Sequence, residues 1–363
     1  MYKLSDRKDV HKMAKVGILG FAHGHIFAYG GVWKEKPELG VTIVKGYDHD
    51  MTRGKESCEK LGCVFTGDIS GILNDSDIDS VVISSETYYH AEYTEAAAKA
   101  GKTIICYKPM ALNMEEANRI VSAVGKYRVR FSLGWQMRTD PHNIEVRQLL
   151  ESGDFGRIFS LRRRHGLPTQ KFANFDETWH VDPKMNRDIF ADDAAHPADF
   201  VYWLMGMPDS VSATLTTMLN PKVVNDNGIA IYKYADGSLA EISCNFVSLA
   251  AENTLDIQCE KGTILLDYGD VPSTMVPHGT KGLKWIKDGD ADWTYSETPS
   301  PVSHGERIAW QAGPLADFLN GKRGAIATAQ EGRDVLRMIL ACYISDEYGQ
   351  RVDMGDVRIN GVV

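Results

Sequence analysis

Lys108, Asp192 and His196 are the residues whose types and spacing best suit proton and hydride chemistry. Lys108 closes the β-branched run "KTIICYKP", at the carboxyl end of an expected strand, where one lysine can meet a cofactor and a substrate together. Taken alone, a lysine there is more often a surface residue. Pro109 restricts Lys108 to extended backbone. Asp192 and His196 stand four apart in "DDAAHPADF", with Asp199 three further on, so a helix brings all three near one face. A core hydrogen bond or an N-cap is the plainer alternative for this group, and Asp193 competes as the cap. Imidazole titrates near neutrality and suits transfer of a hydroxyl proton. An ammonium group suits a developing oxygen charge, and its charge favours the neutral imidazole that can accept a proton.

A second group could hold a dinucleotide. "KVGILGFAHGH" runs from a strand into a helix and carries a degenerate glycine fingerprint, Gly20–x–Ala22–x–x–His25. Gly20 suits the sharp turn and Ala22 a close backbone approach. The helix start offers N–H groups and a positive dipole end to a pyrophosphate, with Phe21 and His23 inside the turn. An ordinary tight turn is the alternative. Asp48 ends the next strand, where a carboxylate accepts from ribose hydroxyls and repels a 2′-phosphate, favouring NAD over NADP. Arg53 lies near enough to soften that preference and leave NADP open. Ser84, Ser85 and Glu86 end the fourth strand and His90 opens the next helix. His23 and His25 read as packing against a cofactor; no third ligand has suitable spacing, so no metal is expected.

The elements that must position these groups change character along the chain. Through about residue 137, six short apolar strands alternate with helices, which predicts a doubly wound parallel sheet. Beyond it, "RIFSLRRRH", "DSVSATLTTM", "GIAIYKY", "SLAEISCNFVS", "NTLDIQCE" and "GTILLDY" predict an open, mostly antiparallel sheet with one buried face. The reading is therefore α/β: a Rossmann domain over residues 1–137 and an α+β substrate-binding and oligomerisation domain over 138–363, whose final helices are free to pack back on the first.

Of 363 residues, 43% are apolar and 25% charged, the balance of a soluble chain with real cores. A formal net charge of -9 argues against a nucleic-acid binder. No apolar run approaches the roughly 18 residues of a membrane span, and the start lacks the apolar core of a secretory signal. The six cysteines are widely spaced, so reduced thiols and a cytoplasmic location are expected. Residues before Met13 read as a dispensable polar tail.

The residues now carry a family resemblance. The first-strand turn, "SSETYYH", "AGKTIICYKP", "GWQMRTDP", "DDAAHPADFVYWLMG" and "GTILLDY" resemble, in order, the Gfo/Idh/MocA oxidoreductases. The resemblance implies an NAD(P)-binding domain followed by a domain whose open sheet covers the active site and forms subunit contacts. It implies that Lys108, Asp192 and His196 are catalytic, and it matches His90, Arg138, Pro141 and Asp199 to family positions. Tyr107 departs from the usual glutamate before the lysine and Ala194 from the usual glycine before the histidine. The implied reaction is NAD(P)-dependent oxidation of a secondary alcohol on a sugar, polyol or related compound. An NAD-dependent lyase or glycosidase using transient oxidation, and a non-catalytic NAD(P)-responsive binding protein, are the rival readings. Arg138 and Arg164 are candidates for an acidic or phosphorylated substrate, and Trp179 and His180 for a sugar. A strand placing Arg162 and Arg164 on a solvated face is the alternative for the arginine run. Pairing of exposed sheet faces predicts a homodimer or homotetramer.

Overall fold

The computed structural model describes residues 13–249, 253–267, 282–299, 301 and 303–362; the expected polar tail before Met13 lies outside them. The first half reads β1 (Ala14–Leu19), α1 (His25–Glu35), β2 (Val41–Tyr47), α2 (Met51–Leu61), β3 (Val64–Phe65), α3 (Ser70–Leu73), β4 (Ser80–Ile83), α4 (His90–Lys99), β5 (Thr103–Cys106), α5 (Met114–Tyr127) and β6 (Phe131–Leu133). All its strand pairs are parallel, in the order β3-β2-β1-β4-β5-β6. Val81, Val82, Ile83, Ile104 and Ile105 are fully buried, which is why these runs are apolar throughout rather than alternating. The order reverses between β1 and β4, and a crevice opens there beyond the carboxyl ends of the strands.

The chain leaves this sheet at Leu133, makes a turn at Gln136–Arg138 and enters α6 (Pro141–Glu151), capped by Asp140. Next come β7 (Ile158–Gly166), α7 (Pro183–Asn186), α8 (Ile189–Asp193) and α9 (Ala195–Met205). They are followed by β8 (Ser210–Thr216), β9 (Asn227–Lys233), β10 (Leu239–Asn245), β11 (Leu255–Cys259), β12 (Gly262–Leu266), β13 (Leu283–Lys287) and β14 (Thr294–Tyr295). The end comprises α10 (His304–Ala309), α11 (Ala312–Leu319), α12 (Ala329–Tyr348) and β15 (Val352–Asp353). Among the described residues the second sheet has nine strands, in the order β14-β13-β12-β11-β7-β10-β9-β8-β15. Only β7 and β10 run parallel in it; every other pair is antiparallel.

One face of that sheet carries Ala230, Tyr232, Ala240, Ile242 and Ile257 into the core under α9 and α12. The other presents Ile229, Ile231 and Leu239, each more than two-fifths exposed. The final helices pack back on the first unit. α12 lies against α5 and β6, and α10 and α11 lie against α1, where Trp33 Nε1 donates to the Ala312 carbonyl over 2.8 Å. No helix of the described residues is long and apolar enough to cross a membrane.

Candidate functional site

The turn after β1 is built around Gly20, whose φ is +84° and whose backbone lies directly against Ser85. A Cβ there would stand 2.4 Å from the Ser85 Cβ, so only glycine permits the approach. Ser84 Oγ donates to the His23 carbonyl and His23 N–H to the Ser84 carbonyl, both at 2.9 Å, which ties the turn to the end of β4. α1 starts at Gly24 without a side-chain cap, and a Cβ on Gly24 would meet nothing within 4 Å. An uncapped helix start facing open space at a sheet's switch point fits a pyrophosphate.

The Asp48 carboxylate is sealed and already saturated. It accepts from Phe21 N–H (2.8 Å), Asp50 N–H (2.9 Å), Arg53 Nε (2.8 Å) and Arg53 Nη2 (2.7 Å). Arg53 also bridges to Glu86 Oε1 at 2.8 Å, and Asp50, which caps α2, holds the Arg53 backbone in place. The sequence reading gave Asp48 to the ribose hydroxyls; in the structure its oxygens, and the Phe21 N–H, bond within the protein, and Arg53 lies over the carboxylate.

His90 is corrected too. It is fully buried, with Nδ1 2.9 Å from the Pro109 carbonyl and Nε2 3.3 Å from the Ser85 carbonyl. Burial holds its pKa down at about 4. The neutral ring has one N–H, and the shorter contact makes Nδ1 the donor to the Pro109 carbonyl, so His90 braces the Lys108–Pro109 turn from within the core.

Lys108 comes off the end of β5 into a buried cluster. Its Nζ lies 2.9 Å from Asp192 Oδ1 and 3.2 Å from Asp193 Oδ1. Burial opposes its charge, but the two carboxylates outweigh burial and raise its pKa. Each carboxylate also holds an imidazole: Asp192 Oδ2 meets His180 Nδ1 at 2.7 Å, and Asp193 Oδ2 meets His165 Nε2 at 3.1 Å. His196 Nε2 faces Asp193 Oδ1 at 3.9 Å, so Lys108 and His196 converge on one carboxylate oxygen. Burial, with Lys108 next, holds the His196 pKa well below its ordinary value, so the ring is neutral. Burial also favours neutral Asp192 and Asp193, yet Lys108 overrides it and both titrate well below the usual carboxylate range.

The resemblance makes Asp192 catalytic, either holding the substrate or orienting the base. The structure shows Asp193 facing His196, because the helix breaks at Ala194 between α8 and α9. Asp193 caps neither helix; Asp188 caps α8. Tyr107, where a glutamate was expected, turns away from Lys108. Its ring stacks on Tyr29 at 5.5 Å and its hydroxyl donates to Gln311 Oε1 at 3.3 Å. The carboxylates beside Lys108 come from Asp192 and Asp193 and not from position 107.

These side chains line a cavity of about 180 Å³ together with His23, His25, Gln136, Phe172, Phe175 and Phe246. His23 is buried and held neutral by burial, then by His25 and Lys108. Trp179 stacks on His180 at 4.0 Å and donates to the Ala22 carbonyl at 3.1 Å, so the irregular stretch before α7 reaches the turn after β1. Two substrate candidates lie elsewhere. Arg138 is a buried clamp, bidentate to Asp199 and bonded to Glu331 at the start of α12. Burial outweighs even that arginine and lifts the Asp199 pKa to about 6. Arg164 is exposed on the outer face of β7, while Arg163 between its neighbours is buried 4.8 Å over the Phe200 ring. Among the described residues no group of three or more His, Cys, Asp or Glu is arranged to hold a metal.

A six-stranded Rossmann sheet, a glycine turn at its switch point and a lysine–carboxylate–imidazole cluster beside it make the architecture of a two-domain protein with a dinucleotide-binding fold. Residues 14–135 match the model of the oxidoreductase family NAD-binding Rossmann fold, and residues 144–265 that of the GFO/IDH/MocA C-terminal domain. The chain belongs to the Gfo/Idh/MocA oxidoreductases.

Levoglucosan dehydrogenase of Pseudarthrobacter phenanthrenivorans is 26% identical over 229 residues, 56% of this chain and 59% of that protein. Inositol 2-dehydrogenase of Rhizobium meliloti is 28% identical over 203 residues, 54% of this chain and 59% of that protein. The matched stretch thus spans less than two thirds of either relative. A solved levoglucosan dehydrogenase in complex with NADH and levoglucosan superposes with a TM-score of 0.81 at 21% identity, covering 94% of this chain and 100% of that one, a likeness of fold.

Proposed function

We propose that this protein oxidises a secondary alcohol of a sugar or polyol reversibly, with NAD as electron acceptor. The observation that carries this reading is the meeting of Lys108 and neutral His196 at one Asp193 oxygen, in a cavity beside the glycine turn. Gly20, Ala22 and the start of α1 would hold the pyrophosphate, and Asp48 and Glu86 the ribose end. When bound, NAD supplies the hydride acceptor, so the carbinol carbon loses its hydrogen with both bonding electrons. Lys108 donates a hydrogen bond to the alcohol oxygen and stabilises its charge as the O–H bond breaks. His196 takes the hydroxyl proton at Nε2, which stands 3.9 Å from Asp193 Oδ1, so the imidazolium formed lies beside that carboxylate. Asp192 and Asp193 keep Lys108 charged, and His180 and His165 keep the carboxylates oriented.

NAD is favoured over NADP because two buried carboxylates, Asp48 and Glu86, share one guanidinium at the ribose end. A 2′-phosphate would add negative charge there. The exposed face bearing Ile229, Ile231 and Leu239 supports pairing with a second copy as a homodimer or homotetramer. Six unpaired thiols, five of them buried, support a cytoplasmic setting. The test is a panel of sugars and polyols incubated with NAD. Reduced nicotinamide should form in stoichiometry with a carbonyl product, and its absence across cyclitols, aldoses and anhydrosugars alike would end this reading.

A further inference from the structure

Cys58 and Cys63 meet at the C-terminal end of α2. Gly62 takes φ +75° there, its N–H donates to the Glu59 carbonyl at 3.2 Å, and Cys63 N–H donates to the Cys58 carbonyl at 2.9 Å. This double closure brings the side chain just past the glycine onto the one five places before it, a contact that two apolar residues usually make. Here both are thiols. Cys63 donates to Cys58, which lowers the Cys58 pKa and raises its own, so Cys58 ionises first. The 2.9 Å backbone bond keeps the two Cα atoms within about 7 Å, the limit for a disulfide. Cys58 is 2% exposed while Cys63 is half-buried, so Cys63 is the sulfur open to a reagent. The Lys34 ammonium stands at the same turn, donating to the Lys60 carbonyl at 3.1 Å, and a Cβ on Gly62 would lie 3.3 Å from its Nζ. The inner sulfur borders the dinucleotide turn. A Cβ on Gly46 would stand 2.6 Å from Cys58 Sγ and 2.5 Å from Phe21 Cζ, so that sulfur and that ring share the space over Gly46. Phe21 N–H is bonded to Asp48, and α2 carries the Arg53 that lies over the same carboxylate.

We propose that Cys58 and Cys63 are a redox-active dithiol that reacts with small disulfides such as oxidised glutathione, and that closing it weakens dinucleotide binding. The proton between the two sulfurs passes to Cys58, leaving the thiolate on Cys63 beside Lys34. That thiolate attacks one sulfur of the small disulfide and releases the other half as a thiolate. Cys58 gives its proton to the released thiolate and displaces the second half from Cys63, and that half takes its proton from solvent. Two protein thiols are oxidised, losing two electrons and two protons, and one small disulfide is reduced to two thiols. To bond Cys63, the Cys58 sulfur moves off Gly46, which loosens the packing behind Phe21 and the end of the helix that carries Arg53. The dithiol stands on its own geometry, and its effect on the cofactor rests on the dinucleotide reading of the turn.

The test is incubation of the reduced full chain with oxidised glutathione, alkylation of the remaining thiols and peptide mass mapping. Trypsin cuts at Lys60, between the two cysteines, so the expected disulfide appears as two linked peptides. The other cysteines, Cys106, Cys244, Cys259 and Cys342, are buried and should alkylate only after denaturation. Cys58→Ser should stop at glutathione held on Cys63, and Cys63→Ala, at a half-buried position, should take up none. Fluorescence titration should show the oxidised chain binding NADH at least about fivefold more weakly than the reduced chain. Dithiothreitol should restore the affinity, and the oxidant should leave NADH binding by Cys63→Ala unchanged. Glutathione left on Cys63 in the parent chain, no reaction at all, a disulfide between other cysteines, or equal NADH affinity of the oxidised and reduced forms would each overturn the proposal. Failure of the parent reading looks different. A reduced chain that binds no NADH refutes the cofactor site, and with it the effect on binding, while peptide mapping still decides the dithiol.

Discussion

Replacing Lys108 by Met removes the one cation between two buried carboxylates and keeps most of the side-chain volume. Asp192 Oδ1 at 2.9 Å and Asp193 Oδ1 at 3.2 Å would lose their common partner. Breaking a buried ion pair from one side costs about 3–5 kcal/mol. In a unit of 150–250 residues each kcal/mol moves Tm by about 2–4 °C, so a fall on the order of 10 °C is expected near pH 8. The pH dependence should change as well. In the parent protein both carboxylates titrate well below the usual range, because Lys108 outweighs burial. Their contribution to stability is complete above the unfolded carboxylate pKa and is lost only as pH falls through the depressed folded values, so it is flat across neutrality.

Without Lys108, burial dominates and raises both folded pKa values. Stability is then greatest at low pH and is lost as pH rises through the raised values. The variant's Tm should therefore climb as pH is lowered from neutrality toward the unfolded carboxylate pKa, a rise these two groups do not give in the parent. Loss of the oxygen-stabilising donor should reduce kcat by about 10²–10³. Thermal unfolding by circular dichroism and initial rates of nicotinamide reduction measure both effects. A Lys108→Met protein with parental Tm at every pH, or with parental kcat, would refute the reasoning.

Gly20→Ala should abolish NAD binding and lower Tm, since the new methyl would stand 2.4 Å from Ser85 in a backbone held at φ +84°; fluorescence titration with NADH reads the loss. Arg53→Ala should uncover Asp48 and Glu86 and shift the NAD-to-NADP ratio of kcat/KM further toward NAD by about tenfold, because a 2′-phosphate loses its cation; a shift toward NADP would contradict the charge argument. Ile231→Glu, on the open face of the second sheet, should drive the oligomer to monomer in sedimentation velocity at unchanged Tm onset.

Much of the scaffold is legible in the residues themselves. The strands of the first sheet are short β-branched runs buried on both faces, so their apolar continuity and the helices between them are enough to read the parallel order. The Gly20 turn is legible because no other residue tolerates both the φ and the contact with Ser85. The partner of a charged side chain is not legible in this way. Arg138 reads as a substrate arginine until folding brings it to Asp199 and Glu331, the second of them 193 residues away. Asp48 reads as a ribose ligand until α2 swings Arg53 onto it. Asp193 looks like a cap, and only the break at Ala194 turns it toward Lys108, His165 and His196.

Gln136 lies between buried Trp135 and Met137 within "GWQMRTDP", but its residue type points to no particular chemistry there, so its place on the cavity emerges only in three dimensions. The two-residue strands β14 and β15 carry too little periodicity to stand out in the sequence.

The central claim is that His196, neutral and buried beside Lys108 and Asp193, takes the proton of the alcohol being oxidised. The most direct test is a rapid-mixing single turnover of His196→Gln with saturating NAD and a neutral polyol substrate, followed by the absorbance of reduced nicotinamide. The account predicts a hydride-transfer rate lower by about 10²–10⁴, with NAD affinity within about twofold of the parent. Hydride transfer at the parental rate would contradict it.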